Sequence, residues 1–160
     1  MKAFASTIVL VSLLFSSPAV AIANEIEQLP LSATFVISGG YWESGPEGVP
    51  GVETAVEAGE RGYYKLVAIR QADRTARIHL QMVASGDAGL RLVESVELEE
   101  FAAIKPYVTG IRPESMSGVA ATPGFFATVY LKTAPDSDRV EEWTVLIDEL
   151  GDVRVERASN

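Results

Sequence analysis

The C-terminal end of the chain holds the pattern that most constrains its fold. Two runs, Glu142-Trp143-Thr144-Val145-Leu146-Ile147-Asp148 and Asp152-Val153-Arg154-Val155-Glu156-Arg157, flank Glu149-Leu150-Gly151. A three-residue hairpin loop needs a positive φ at its third position, and glycine adopts one without steric cost. The same register places Trp143, Val145 and Ile147 on one face with Val153 and Val155. Turn chemistry and face pattern therefore point to a single antiparallel pairing.

The rest of the chain repeats this kind of local signal. Ala33-Thr34-Phe35-Val36-Ile37-Ser38 is β-branched and aromatic and reads as a strand, and Gly39-Gly40 before Tyr41-Trp42 predicts a bulge or sharp bend. Tyr63–Arg70 and Arg77–Val83 read as a second hairpin around Ala72-Asp73-Arg74-Thr75. A loop of two or four residues would set Tyr63, Val67 and Ile69 on the core face with Ile78, Leu80 and Met82. Tyr64, Leu66, Arg70, Arg77, His79 and Gln81 would then share the opposite face. The four-residue loop opposes Arg70 to Arg77, an unfavourable pair, and Ala-Asp is poor chemistry for a two-residue turn.

Leu90–Val96 and Phe125–Lys132 read as strands, Tyr107-Val108-Thr109 as a short one, and Pro135–Asp138 as a turn. In Glu97–Lys105 the residues Leu98, Phe101 and Ile104 share a helical face, acids come early, and Pro106 follows. That segment predicts a short helix, with a continued strand as the alternative. Residues 113–123 read as loop. So do residues 43–62, where glycine and proline are frequent and the stretch from Glu43 to Glu60 holds Glu43, Glu47, Glu53, Glu57 and Glu60 and no base. A loop of this length is usually functional or disordered, and the expectation is a flexible acidic loop.

Six to eight strands, short turns and no strand–helix–strand alternation predict a mainly β chain. The expected architecture is a single antiparallel β-sandwich or small barrel domain with one or two short helices, with α+β as the alternative.

The first residues read as an address. Met1-Lys2 is positive, Ile8–Phe15 is apolar, and Ser16-Ser17-Pro18 leads to the small-residue sites Ala19-Val20-Ala21 and Ala21-Ile22-Ala23. This predicts a cleaved signal peptide over residues 1–23 and a mature domain over residues 24–160. The apolar run is shorter than the roughly 20 residues a membrane-spanning helix needs. The expected location is periplasmic or secreted, in a bacterium. The chain has no cysteine. That excludes disulfides and Cys nucleophiles, so packing alone must hold the exported fold.

A formal net charge of −9 argues against nucleic-acid binding. The charge is uneven. Arg61, Lys65, Arg70, Arg74 and Arg77 face Asp73 alone between residues 61 and 80, whereas residues 136–152 carry seven acids and one arginine. The basic hairpin is expected to be complemented mainly by the protein's own acids, with an anionic ligand as the alternative.

Catalytic signatures are weak. His79 is the one imidazole, sits mid-strand, and has no Gly-x-Ser-x-Gly nucleophile motif to serve. Glu97, Glu99, Glu100, Glu141, Glu142, Asp148 and Glu149 could supply a carboxylate pair, but a sequence does not show convergence. Asp136-Ser137-Asp138 and Asp148–Asp152 lack the alternating acidic calcium pattern. The sequence therefore predicts no cofactor, no metal and no enzyme. It predicts a small exported envelope protein acting as a non-catalytic binding or protein-interaction module. The expected partner is a basic envelope protein or a small ligand such as a lipid, glycan or peptide. The candidate ligand-binding residues are Tyr41, Trp42, Tyr64, Arg70, Arg77 and His79. A carboxylate-dependent hydrolase is the remaining alternative.

Overall fold

The computed structural model describes residues 30–45, 56, 59–114 and 122–159. The predicted signal peptide, most of the acidic 43–62 loop and most of the 113–123 loop lie outside these residues.

Among the described residues, eight strands form two antiparallel meanders. The first sheet is β1 (Ala33–Glu43), β2 (Arg61–Arg70), β3 (Ala76–Gly86) and β4 (Gly89–Glu97), in that order. A short helix α1 (Glu99–Ile104) leads to the second sheet: β5 (Tyr107–Pro113), β6 (Phe125–Lys132), β7 (Glu141–Ile147) and β8 (Val153–Arg157). The mainly β reading holds, and the arrangement is that of a β-sandwich. Leu66, Ala68 and Ile78 of the first sheet and Ala127, Val129, Leu131 and Val145 of the second are completely buried in one shared core.

The Gly39-Gly40 interruption is a bulge, as its sequence predicts. The β1–β2 register shifts between Gly39 and Trp42, and Gly40 takes φ 60. A Cβ there would lie 2.0 Å from the Gly124 carbonyl oxygen, so only glycine fits. The bend carries Tyr41 across to the second sheet. Its N–H donates to the Gly124 carbonyl at 3.1 Å and its carbonyl accepts from the Gly124 N–H at 2.8 Å. One flank of the sandwich is stitched by this pair.

The segment after β4 is helical, so the continued-strand alternative is overturned. Glu99 and Glu100 occupy the first turn, where acids suit the helix dipole. Phe101 is fully buried, with its ring centroid 5.7 Å from that of Trp143. Lys105 ends the helix at φ 47, its N–H bonded to the Phe101 carbonyl.

The final hairpin has the predicted register: Ile147 faces Val153, Val145 faces Val155, and Gly151 takes φ 85. The β2–β3 hairpin does not. Arg70 pairs with Ala76, Ala68 with Ile78, Leu66 with Leu80 and Tyr64 with Met82. The buried face is Tyr64, Leu66 and Ala68, while Tyr63, Val67 and Ile69 lie half-buried on the other side. The loop is the five residues Gln71–Thr75, which inverts the predicted parity of β2. Asp73 holds this loop, accepting the Thr75 N–H at 3.0 Å and the Thr75 hydroxyl at 2.6 Å. The Arg74 N–H donates to the Gln71 carbonyl at 2.9 Å. The register also separates Arg70 from Arg77, which removes the like-charge opposition of the four-residue loop.

At its margins the 43–62 segment is strand: Glu43 pairs with Arg61 and Trp42 with Gly62. Ser44 continues the pairing, its N–H donating to the Glu60 carbonyl at 2.8 Å. Val56 packs against the core.

Candidate functional site

The sequence candidates divide among three environments. Trp42 and Tyr64 are core residues. Trp42 is 2% exposed, its indole N–H donates to the Val83 carbonyl at 3.2 Å, and its ring lies over Gly62, where a Cβ would clash. Tyr64 packs on Phe125 with ring centroids 6.1 Å apart. Burial, and then the charge of Asp148, push its phenol pKa up to about 12. Both rings act as structure. Tyr41 is half-buried at the bulge that joins the sheets.

Arg77 and His79 lie on the outer face of the first sheet. Arg77 forms a salt bridge with Glu97, its Nε donating at 2.9 Å. This bond holds the Glu97 carboxyl below its ordinary range and raises the Arg77 guanidinium. His79 pairs in register with Glu97 and Val67 and is half-buried. Of the five cations of the basic hairpin, Arg77 is the one with an ion pair among the described residues, so the expected complementation by the protein's own acids is seen at this one point.

Arg70 belongs to neither group. It sits at the end of β2, on the opposite side of the sheet from Arg77 and His79, and lines a cleft of about 400 Å³ at one end of the sandwich. Two further cations line it, Arg74 from the β2–β3 turn and Lys132 from the end of β6. Phe35 of β1 and Tyr107 of β5 supply apolar surface. The cleft thus draws on both sheets. Its rim is held by main-chain bonds: the Arg70 N–H donates to the Ser32 carbonyl at 2.7 Å, and the Ala76 N–H to the Pro106 carbonyl at 2.8 Å.

The cations of the cleft are not engaged in close ion pairs. Among the described residues, Arg70, Arg74 and Lys132 make no ion pair within 4.0 Å, which is also true of Arg61, Lys65, Lys105, Arg112 and Arg139; Arg77, Arg91, Arg154 and Arg157 each reach an acid. Asp73, next to Arg74 in the turn, accepts from Thr75, which holds its pKa below the usual range and keeps it an anion beside the cleft. Thr34 and Thr109 also line the cleft, and their hydroxyls donate to the Ala68 and Tyr130 carbonyls at 3.4 and 3.1 Å. The other polar side chains of the lining are Arg70, Arg74, Lys132 and the Tyr107 phenol.

The acids weighed for catalysis are spread out. Glu97 pairs with Arg77, and Glu141 accepts from the Trp143 indole and pairs with Arg157. Glu99 and Glu100 start α1. Asp148 caps the last hairpin by accepting from the Leu150 and Asp152 N–H groups at 2.9 and 3.1 Å. Among the described residues, no three His, Asp or Glu side chains are placed to hold a metal ion.

Arg74 and Lys132 were not among the sequence candidates. Arg74 lies in a turn whose loop length the sequence left open. Lys132 joins the cleft only because the second sheet packs over the first.

The fold and the cleft define a class, a mainly β two-sheet sandwich with a cationic cleft at one end. Comparison of the chain with protein-family models, with curated proteins and with solved structures finds no match in any of the three.

Proposed function

We propose that this chain is a small exported binding module without catalytic chemistry, and that its ligand is a small molecule taken in the cleft at the Arg70 end of the sandwich. The observation that carries this reading is the cleft itself. Its volume of about 400 Å³ lies within the roughly 300–1,000 Å³ of small-molecule sites, and it joins apolar surface to a few polar groups, as such sites do. Strand ends contributed by two packed sheets hold those groups on rigid supports. The export signal read from residues 1–23 gives the module its place in the envelope.

Native mass spectrometry of the full chain, purified gently from cells that export it, tests the reading. A retained mass, or a thermal shift with one member of a lipid, glycan and phosphoester panel, supports it when substitution of Arg70 removes the effect. A bare mass together with no shift across the panel would overturn it.

A second reading, a module for a basic envelope protein, has one observation in its favour. Asp136, Asp138, Glu142, Glu149 and Asp152 are exposed along the β6–β7 and β7–β8 region. Such a partner would be steered electrostatically and lost as salt rises. Pull-downs from envelope extract at low and high salt distinguish this partner, whose capture would not depend on Arg70.

A further inference from the structure

Among the described residues, two non-glycine positions have positive φ, Arg74 at 71 and Lys105 at 47. Both stand at the same end of the sandwich. Arg74 lines the cleft. Lys105 caps α1 immediately before Pro106 and the cleft residue Tyr107, and its charge reaches Asp73 in the turn. The left-handed region crowds Cβ against the backbone, and glycine or asparagine are its usual occupants. A cation suits a helix C-terminus, which accounts for part of the choice at Lys105. No such reason applies to Arg74, because the turn is closed by Asp73, Thr75 and main-chain bonds without the Arg74 side chain. Backbone strain of this kind persists where the side chain has work to do.

Resting on the small-ligand reading above, we infer that the cleft binds a phosphate or sulfate ester. Arg70 and Arg74 present planar guanidinium forks suited to two oxygens of one oxyanion, and Lys132 supplies a point charge from the opposite sheet. Phe35 and Tyr107 face the organic part of the ester. A neutral ligand would make no use of the three cationic side chains that line the cleft. The protein as a whole is acidic, so a local positive field is what admits an anion. Asp136 and Asp138 lie in the adjoining β6–β7 turn but do not line the cleft.

The test follows backbone amide signals of the isotope-labelled chain by NMR. The probes are glycerol 3-phosphate, glycerol, phosphatidylglycerol vesicles and phosphatidylcholine vesicles, with a neutral glycan and a fatty acid as further controls. Glycerol 3-phosphate or phosphatidylglycerol is expected to move the signals of Arg70, Arg74, Ala76, Thr109 and Lys132, while glycerol does not and phosphatidylcholine, a phosphate diester whose choline cation neutralises the headgroup, moves them less than phosphatidylglycerol. Response to the soluble ester assigns a free phosphoester, and response to vesicles alone assigns a lipid headgroup.

The R70Q/R74G variant is expected to bind at least about tenfold more weakly, the scale of losing a charge-assisted contact. The single K132Q variant serves the same purpose if the double variant does not fold. Unchanged affinity in the folded variants would overturn the inference. Cleft signals that move with the glycan or the fatty acid but not with either phosphate probe would overturn it and leave the small-ligand reading standing. Cleft signals that move with no probe would overturn both.

Discussion

The β2–β3 and β7–β8 hairpins solve the same problem with different residues. Each has a five-residue connection between its last paired positions, Arg70 to Ala76 and Ile147 to Val153. Each is held by an aspartate that accepts hydrogen bonds inside the turn, Asp73 in one and Asp148 in the other. Each needs a residue with positive φ near its end. The C-terminal hairpin uses Gly151 at φ 85, and the β2–β3 hairpin uses Arg74 at φ 71. The first choice is the one backbone sterics favour. The second keeps a long cation at a strained position, and that cation lines the cleft. Under the proposed binding function, the contrast is between a hairpin whose turn residue serves the cleft and a twin at the other end of the sandwich that follows backbone sterics.

The register of β2 carries the largest expected effect. Leu66→Ala removes a fully buried side chain and is expected to cost about 2–5 kcal/mol. Val67→Ala, on the half-buried face, is expected to cost less than half as much. Chemical denaturation of the two variants checks the parity, and the opposite ranking would restore the four-residue loop. The next effect tests the two turns directly. Gly151→Ala forces a Cβ into the left-handed region and is expected to destabilise by about 1 kcal/mol. Arg74→Gly relieves the same clash and is expected to stabilise, by at most about 1 kcal/mol because glycine also gains freedom in the unfolded chain.

Smaller effects follow from charge. The Asp73 carboxyl is held below its ordinary pKa by its bonds to Thr75. A carboxylate depressed in the folded state contributes stability above its unfolded pKa and loses it as pH falls through the folded value. Asp73→Asn is therefore expected to lower the melting temperature near neutral pH, and the gap is expected to close in acid below the usual carboxylate range. The Arg77–Glu97 pair is exposed, its side chains 55% and 24% accessible. Removing it is expected to give the smallest shift, erased by added salt. A salt-independent loss would mean that the pair packs rather than merely pairs.

Most strands were legible because alternation of apolar residues encodes them. The terminal hairpin was legible to the register because Gly151 marks its turn. The β2–β3 register was not, since Ala72-Asp73-Arg74-Thr75 contains no glycine to betray the positive φ. That one-residue difference moved Tyr64 into the core and left Arg77 and His79 on the outer face, away from Arg70. Trp42 looked like a contact residue beside a glycine-rich loop, yet Gly62 gives its ring a place to lie flat inside. Arg70 was legible as a candidate ligand residue, though the basic hairpin was expected to be complemented mainly by the protein's own acids. Its companions were not, because Arg74 depends on the turn and Lys132 on the packing of two sheets whose strands lie far apart in sequence.

One measurement on Arg74→Gly tests the account at its centre: the melting temperature of the variant, recorded with and without glycerol 3-phosphate. The account predicts a variant at least as stable as the parent in buffer, with most of the ligand-induced thermal shift gone. A variant that melts lower in buffer and keeps the full shift would contradict it, because Arg74 would then hold the turn and not the ligand.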